Sequence, residues 1–390
     1  MWQMSEPGIM NTENDLRIDG FSAVLDDYER EGRLRHLPPH RAGQGLVDLT
    51  GNDYLGLAAR QGEFREEYAR RFGEASMTSS ASRLLATDQK IYADYEGLLE
   101  ELYGRPALLF NSGYHANMGI TRALALPGTV FLSDKLIHAS AIDGLRMKGT
   151  ECDRWRHNDP GHLRKLLEKY AGKAERMVVI AESVYSMDGD LAPLEELAAL
   201  REEFPNMLLY IDEAHGFGVF GEYGLGLAEE RGLLDKIDIL MATLGKAGAS
   251  AGAFAVTSRR MKDYLVNAAR PLIFSTALPP ANVAWSQLMT EKITGMGKER
   301  KHLQELASRL KAGLRDAGGG SEISGSQIVP FITGDARKAT RLAAKLEAEG
   351  ILASAIRRPT VPPGGERLRL SLNALLSEAD IDNITEKLKE

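Results

Sequence analysis

A chain of 390 residues is too long for one ordinary domain, so two or three domains are expected. With 43% hydrophobic and 26% charged residues and a net charge of −7, it reads as a globular protein whose main partner is neither nucleic acid nor an anionic membrane. The lone Cys152 excludes an intrachain disulfide framework and fits a reducing compartment, and no run of about 18 apolar residues is present to span a membrane.

The opening stretch MWQMSEPGIMNTENDLRIDG carries acids and lacks the apolar core of a signal peptide, so the expected location is the cytoplasm. It begins an N-terminal arm, residues 1–60. Short apolar runs rich in β-branched residues then recur: PALLF (106–110), TVFLSD (129–134), MVVIAE (177–182), MLLYID (207–212), DILMAT (238–243) and GAFAV (252–256). Stretches of helical periodicity such as PGHLRKLLEKYAG and PLEELAALREEF lie between most of them. Strands alternating with helices predict a large α/β domain over 61–285, with a mostly parallel sheet covered on both faces. Beyond LPPANVAWSQLMTEKI a long amphipathic stretch runs to about residue 317, followed by the turn-rich linker AGGGSEISGSQ (317–327). A smaller α/β unit follows: strand 327–333, helix 336–349, strand 351–356, strand 367–372 and helix 378–389. Residues 286–390 therefore read as a linking helix and a small C-terminal domain.

Ligands of open α/β sheets gather beyond the carboxyl ends of the strands, and several chemically loaded stretches fall there. NSGYHAN (111–117) is a Ser-Gly turn entering a helix, whose first N–H groups suit an anion, although taken alone it reads better as a plain tight turn. SDKLIHAS places His138 after the second strand, ESVYSMDGD places Ser186 after the third, and IDEAHGFG places Asp212 and His215 after the fourth. Taken singly, each histidine is more often structural and Ser186 more often a helix cap. DEAH does not mark a helicase, because Leu240 stands where a phosphate loop ending in Gly245–Lys246 needs glycine.

ATLGKAGASAGAF (242–254) sets the single amine of Lys246 among side chains too small to pack. A solubilising surface loop is the plain reading; room for a flat cofactor is the other. A pyridine aldehyde cofactor needs an amine, a carboxylate for its ring nitrogen, an anion cradle and a flat group over the ring. Lys246 and Asp212 supply the first two, Gly113 with Ser275 or Thr276 the third, and His138 the fourth.

Nearly the whole chain, from GNDYLGLA (51–58) to RLRLSLNALLSEADID (367–382), resembles the α-oxoamine synthases. LLFNSGYHAN, RWRHNDPGHL, ESVYSMDGDLAPL, DEAHGFGVFG, TLGKAGASAG, IFSTALPPA and AIRRPTVPPGGERLRL carry the resemblance, and MDGDLAPL with AIRRPTVP point to the biotin-synthesis branch. The resemblance implies a fold-type I transferase dependent on pyridoxal 5'-phosphate (PLP), condensing L-alanine with an acyl-CoA or acyl carrier protein thioester and releasing CO2. By the same resemblance Lys246 bonds the cofactor and then acts as general base, Asp212 pairs with its ring nitrogen, and His138 stacks on the ring. His215 bonds its phenolic oxygen, and Gly113, Tyr114, Ser186 and Thr243 make further contacts. Ser275 and Thr276 match a segment that reaches a phosphate in the neighbouring subunit, implying a homodimer with shared sites. Arg369 matches the clamp on the amino-acid carboxylate, a task its planar fork suits. Arg35, Asn52 and Thr360 match substrate contacts. Other readings are the glycine acetyltransferase branch and a fold-type I aminotransferase. The chain departs from the family at MTSSASRLLATDQ (77–89), where a glycine-rich stretch is usual, at Tyr92 in place of a histidine, at Phe217, and in the fewer glycines around Lys246.

Overall fold

A computed structural model describes residues 19–37, 39, 45–87, 89–147, 149–315 and 323–389. The reading of the first 18 residues, and of 317–322 in the linker, lies outside them. Twelve strands are formed among the described residues: β1 (Val47–Asp48), β2 (Ala107–Phe110), β3 (Thr129–Asp134), β4 (Cys152–Trp155), β5 (Arg176–Glu182), β6 (Met207–Asp212), β7 (Ile239–Thr243), β8 (Ala253–Thr257), β9 (Ile328–Ile332), β10 (Ile351–Leu352), β11 (Ser354–Ile356) and β12 (Arg367–Ser371).

β2 to β8 make one sheet in the order β2-β8-β7-β6-β5-β3-β4. β3 to β7 run parallel to one another, whereas β8 runs antiparallel to both β2 and β7. Continuous apolar strands suit such a sheet because both faces are covered. The period of two shows in how each strand divides its side chains. Val179, Ala181, Leu209, Ile211, Leu240 and Ala242 enter one core, while Val178, Ile180, Tyr210, Ile239 and Met241 enter the other.

The first of these cores does not stop at the sheet. Leu49, Tyr54 and Leu55 from the arm and Leu368, Leu370 and Leu388 from the C-terminal unit belong to it. β9, β11 and β12 form a three-stranded antiparallel sheet, and β1 of the arm pairs in parallel with β10.

Three details differ from the sequence expectation. The strand expected at 351–356 breaks at Ala353, and its halves join different sheets. The long amphipathic stretch is two helices, Pro280–Thr294 and Gly297–Leu314, parted at Gly295 and Met296, whose ψ of 38° leaves the helical region. β4 was not foreseen because CDRW is an edge strand of polar residues with no apolar run. Among the described residues, no helix is long and apolar enough to cross a membrane.

Candidate active site

The parallel strands β3, β5, β6 and β7 end at Asp134, Glu182, Asp212 and Thr243 along one edge of the sheet. The loops leaving that edge carry His138, Ser186, His215 and Lys246. This is the carboxyl edge where an α/β sheet collects ligands.

Lys246 is held within a chain of close contacts. Its Nζ lies 2.7 Å from His215 Nε2, and His215 Nδ1 lies 2.6 Å from the Tyr54 hydroxyl. Tyr54 donates to Asn52 Oδ1 at 2.9 Å, and Arg369 Nη2 donates to the same oxygen at 3.0 Å. One proton arrangement satisfies every partner: the imidazole carries its hydrogen on Nδ1, donates to Tyr54, and turns a bare Nε2 to the amine. Burial, with the charges of Lys246 and Arg369 nearby, pushes the His215 imidazole well below its usual range, so it is neutral. Burial also pulls the Lys246 amine down to about 8, against the attraction of Asp212 and Glu182 and with help from Arg369.

Asp212 is buried and shares a second network. Its Oδ2 accepts from Asn117 Nδ2 at 2.7 Å and its Oδ1 from the Ala214 N–H at 2.8 Å. The same Asn117 amide donates to Ser140 Oγ at 3.0 Å, and that oxygen lies 2.7 Å from His138 Nδ1. Tyr210 donates to the Asn117 carbonyl oxygen, which fixes which way the amide points. Asn117 thus ties the carboxylate to the histidine expected over the ring. Glu182 pairs in register with Asp212 across the ladder. Burial, then the charge of Asp212, pushes its carboxyl well above the usual carboxylate range, and the His138 N–H donates to it. Its Oε1 is buried and unpartnered.

The helix Gly113–Leu124 starts at this edge, capped by Ser112 Oγ, which accepts from the His115 N–H at 3.1 Å. A Cβ at position 113 would come within 3.4 Å of Thr243 Cβ, so glycine keeps the space beside the helix N-terminus open. Thr243 itself donates to the Gly252 carbonyl at 3.1 Å and accepts from the Gly245 N–H at 3.3 Å. Ser275 accepts from Asn111 Nδ2 at 3.2 Å, which brings the 275–276 segment to the residue before that cap. Thr276 bridges to Ser82, and Tyr114, partly exposed, donates to Asp143.

A cavity of about 1430 Å³ gathers Arg35, Asn52, His138, Ser186, His215, Lys246, Thr360 and Arg369 in its wall. The other expected residues, Gly113, Tyr114, Asp212, Thr243, Ser275 and Thr276, lie outside that wall, Asp212 being linked to His138 through Asn117. Ser186 contributes its backbone: its carbonyl accepts from Arg369 Nε at 2.6 Å. At the mouth, Arg35 Nη2 donates to Thr360 Oγ1 at 3.2 Å. An amine of lowered pKa, a buried carboxylate, a helix N-terminus kept open by glycine and a flat imidazole are the donor set PLP requires, so the residues fit it.

Sequence reasoning passed over Tyr54, Asn117 and Glu182. Each stood in a quoted stretch, GNDYLGLA, NSGYHAN or ESVYSMDGD, and the available signal was a polar side chain next to a strand end.

The profile of the class I and II aminotransferases matches residues 44–388. A relative from Pasteurella multocida, provisionally named 8-amino-7-oxononanoate synthase, is 43% identical over 381 residues, covering 95% of this chain and 98% of its own. A serine palmitoyltransferase of S. paucimobilis, solved with a bound PLP–myriocin aldimine, superposes with a TM-score of 0.85 at 28% identity, covering 96% of this chain and 98% of its own. An 8-amino-7-oxononanoate synthase from Francisella tularensis gives 0.74 at 26%, covering 89% and 97%.

Proposed function

We infer the reaction from a premise now in hand: the chain belongs to the class I and II aminotransferase family and, within it, to the PLP-dependent α-oxoamine synthases. The reaction is the decarboxylative condensation of L-alanine with an acyl thioester, pimeloyl-CoA or its acyl carrier protein equivalent, giving 8-amino-7-oxononanoate, CO2 and the free thiol of CoA or of the carrier protein. The names of the 43% identical relative and of the Francisella structure support this choice among the family's reactions. The observation that carries it is the Lys246 amine, held at about 8 beside a neutral His215 in the same cavity wall as Arg369.

Bound at this edge, PLP supplies an electron sink for the α-carbon of the amino acid. Lys246 and Asp212 would hold it, with the Gly113 helix N-terminus at its phosphate. The chain's own residues do the rest. Arg369 grips the substrate carboxylate; its anchors on Ser186 and Asn52 leave the guanidinium in the cavity wall. Lys246, free of its proton above about pH 8, takes the α-proton, and the bare Nε2 of His215 accepts a hydrogen bond from the amine as it cycles. His138, pushed below its usual range by burial, stacks as a neutral ring whose orientation Ser140 and Asn117 set.

The working unit in this reading is a homodimer in the cytoplasm. Phe274, Leu84 and Leu85 are exposed beside the Ser82–Thr276 bridge, and cover by a second copy would bring Ser275 and Thr276 to its phosphate.

Thiol release from a panel of acyl thioesters, offered with alanine, glycine or serine, tests the reading. Alanine-dependent release from the dicarboxylic donor is expected, with borohydride fixing PLP to the peptide containing Lys246. Amino transfer to a 2-oxo acid without thiol release would overturn it.

A further inference from the structure

The stretch RWRHND has no task in the chemistry above, yet its histidine joins two parts of the site. His157 follows the edge strand β4. Its Nδ1 lies 2.9 Å from Asp134 Oδ1 and its Nε2 lies 2.7 Å from Asp190 Oδ2. The ring stands edge-on to Tyr185, with centroids 4.4 Å apart at 90°.

Both carboxylates organise active-site loops. Asp134 ends β3 and accepts from the Leu136 N–H at 2.7 Å and the Asn158 N–H at 3.0 Å, so it shapes the turn that delivers His138. Asp190 closes the loop 183–190 by backbone pairing to Tyr185 and accepts from Asn158 Nδ2 at 2.7 Å. The far side of that loop is drawn toward β12, where Arg369 takes the Ser186 carbonyl and Arg367 pairs with Asp188. His157 also lines both the site cavity and a neighbouring cavity of about 570 Å³, so it stands in the wall between them.

We propose that His157 is a positioning residue: by bridging Asp134 and Asp190 it locks the turn of His138 to the loop that anchors Arg369. The ring stack and the carboxylate clamp are thereby held at one spacing. Burial opposes charge on this imidazole, but the two carboxylates outweigh it and hold its pKa at about 10, so the bridge is ionic on both sides at neutral pH. The roles given to His138 and Arg369 rest on the proposed function; the bridge itself does not.

The test uses His157→Phe, which keeps the edge contact with Tyr185, and Asp190→Asn, which keeps an acceptor but removes the charge. Hydrogen exchange of the full-length apoprotein should speed up together in peptides 134–142 and 183–191, by about tenfold in His157→Phe and less in Asp190→Asn, while β6 and β7 stay protected. In the PLP-loaded enzyme the KM for the amino acid should rise by about tenfold and that for the acyl thioester by much less, because Arg369 loses its fixed anchor. Faster exchange in only one of the two peptides, or across the whole sheet, would overturn the proposal. So would equal rises in both KM values. If His157→Phe does not fold, the Asp190→Asn exchange pattern decides alone. Failure of the wild-type protein to bind PLP would sink the proposed function and leave the exchange result standing.

Discussion

Lys246 and His215 in the cavity wall, with the buried Asp212 behind them, form a floor held by partners at 2.6–2.8 Å, whereas Arg35 and Thr360 meet each other at 3.2 Å in an exposed mouth. The floor residues stand at or just past the ends of neighbouring strands of one sheet, and Tyr54 of the arm completes the contacts of His215. The mouth is assembled from the N-terminal arm and a loop of the C-terminal unit. The difference separates two tasks. Proton handling needs fixed distances and low dielectric, which the floor supplies. In the proposed function, choice of acyl donor would fall to the mouth, a surface that can change without disturbing the floor.

Breaking the floor should cost the most. Asp212→Asn should keep PLP yet lose turnover by on the order of 10²-fold or more with every acyl donor, since an amide cannot neutralise a protonated ring nitrogen. Steady-state rates over a donor panel check this, and near-normal turnover would remove Asp212 from its role.

The Lys246 amine gives a sharper measure of the floor. Its pKa is lowered from the usual lysine value to about 8, so it is protonated and unreactive below that pH and free above it. Modification of the apoprotein at Lys246 by an amine-directed acylating reagent should therefore rise about tenfold per pH unit up to a plateau beginning near pH 8. The peptide-resolved rate against pH shows it, and a midpoint above pH 10 would mean an ordinary exposed lysine.

Arg369 stands between the regions. Arg369→Lys should raise the KM for alanine by about tenfold and spare the thioester, because charge is kept while the two-pronged hydrogen bonding is lost. Equal losses for both substrates would mark a structural arginine.

The mouth should give the smallest effect. Thr360→Val removes the hydroxyl that Arg35 grips and should shift preference among thioesters by about threefold, leaving the alanine KM and the cofactor spectrum unchanged. A loss as large as that of Asp212→Asn would erase the distinction between floor and mouth.

The same contrast explains what could be read from the chain alone. Strands buried on both faces announce themselves as apolar runs, and the residues just past their ends follow from that placement, which is how Lys246, Asp212 and His138 were found. β4 carries charge because it is an edge, so it left no apolar signal. Tyr54 lies 161 residues from the His215 it touches, and Asn117 lies 95 from Asp212, so their roles depend on three-dimensional register rather than on local pattern. Glu182 looked like the polar end of a strand; its carboxyl is pushed well above the usual carboxylate range by burial first and then by the charge of Asp212 beside it in the ladder, neither of which shows in the local sequence.

The pairing of β1 with β10 has a consequence in time. Val47 lies beside Ile351, and Leu49 bonds to both Leu352 and Ser371, so the arm gains these partners only once residues 351–371 have been made. Asn52 and Tyr54 follow directly on that strand. Until the last strands arrive, His215 lacks its Tyr54 partner and Lys246 lacks the nearby charge of Arg369. The amine therefore reaches its full electrostatic surroundings only once Arg369 is in place, well after the strands of the central sheet have been made.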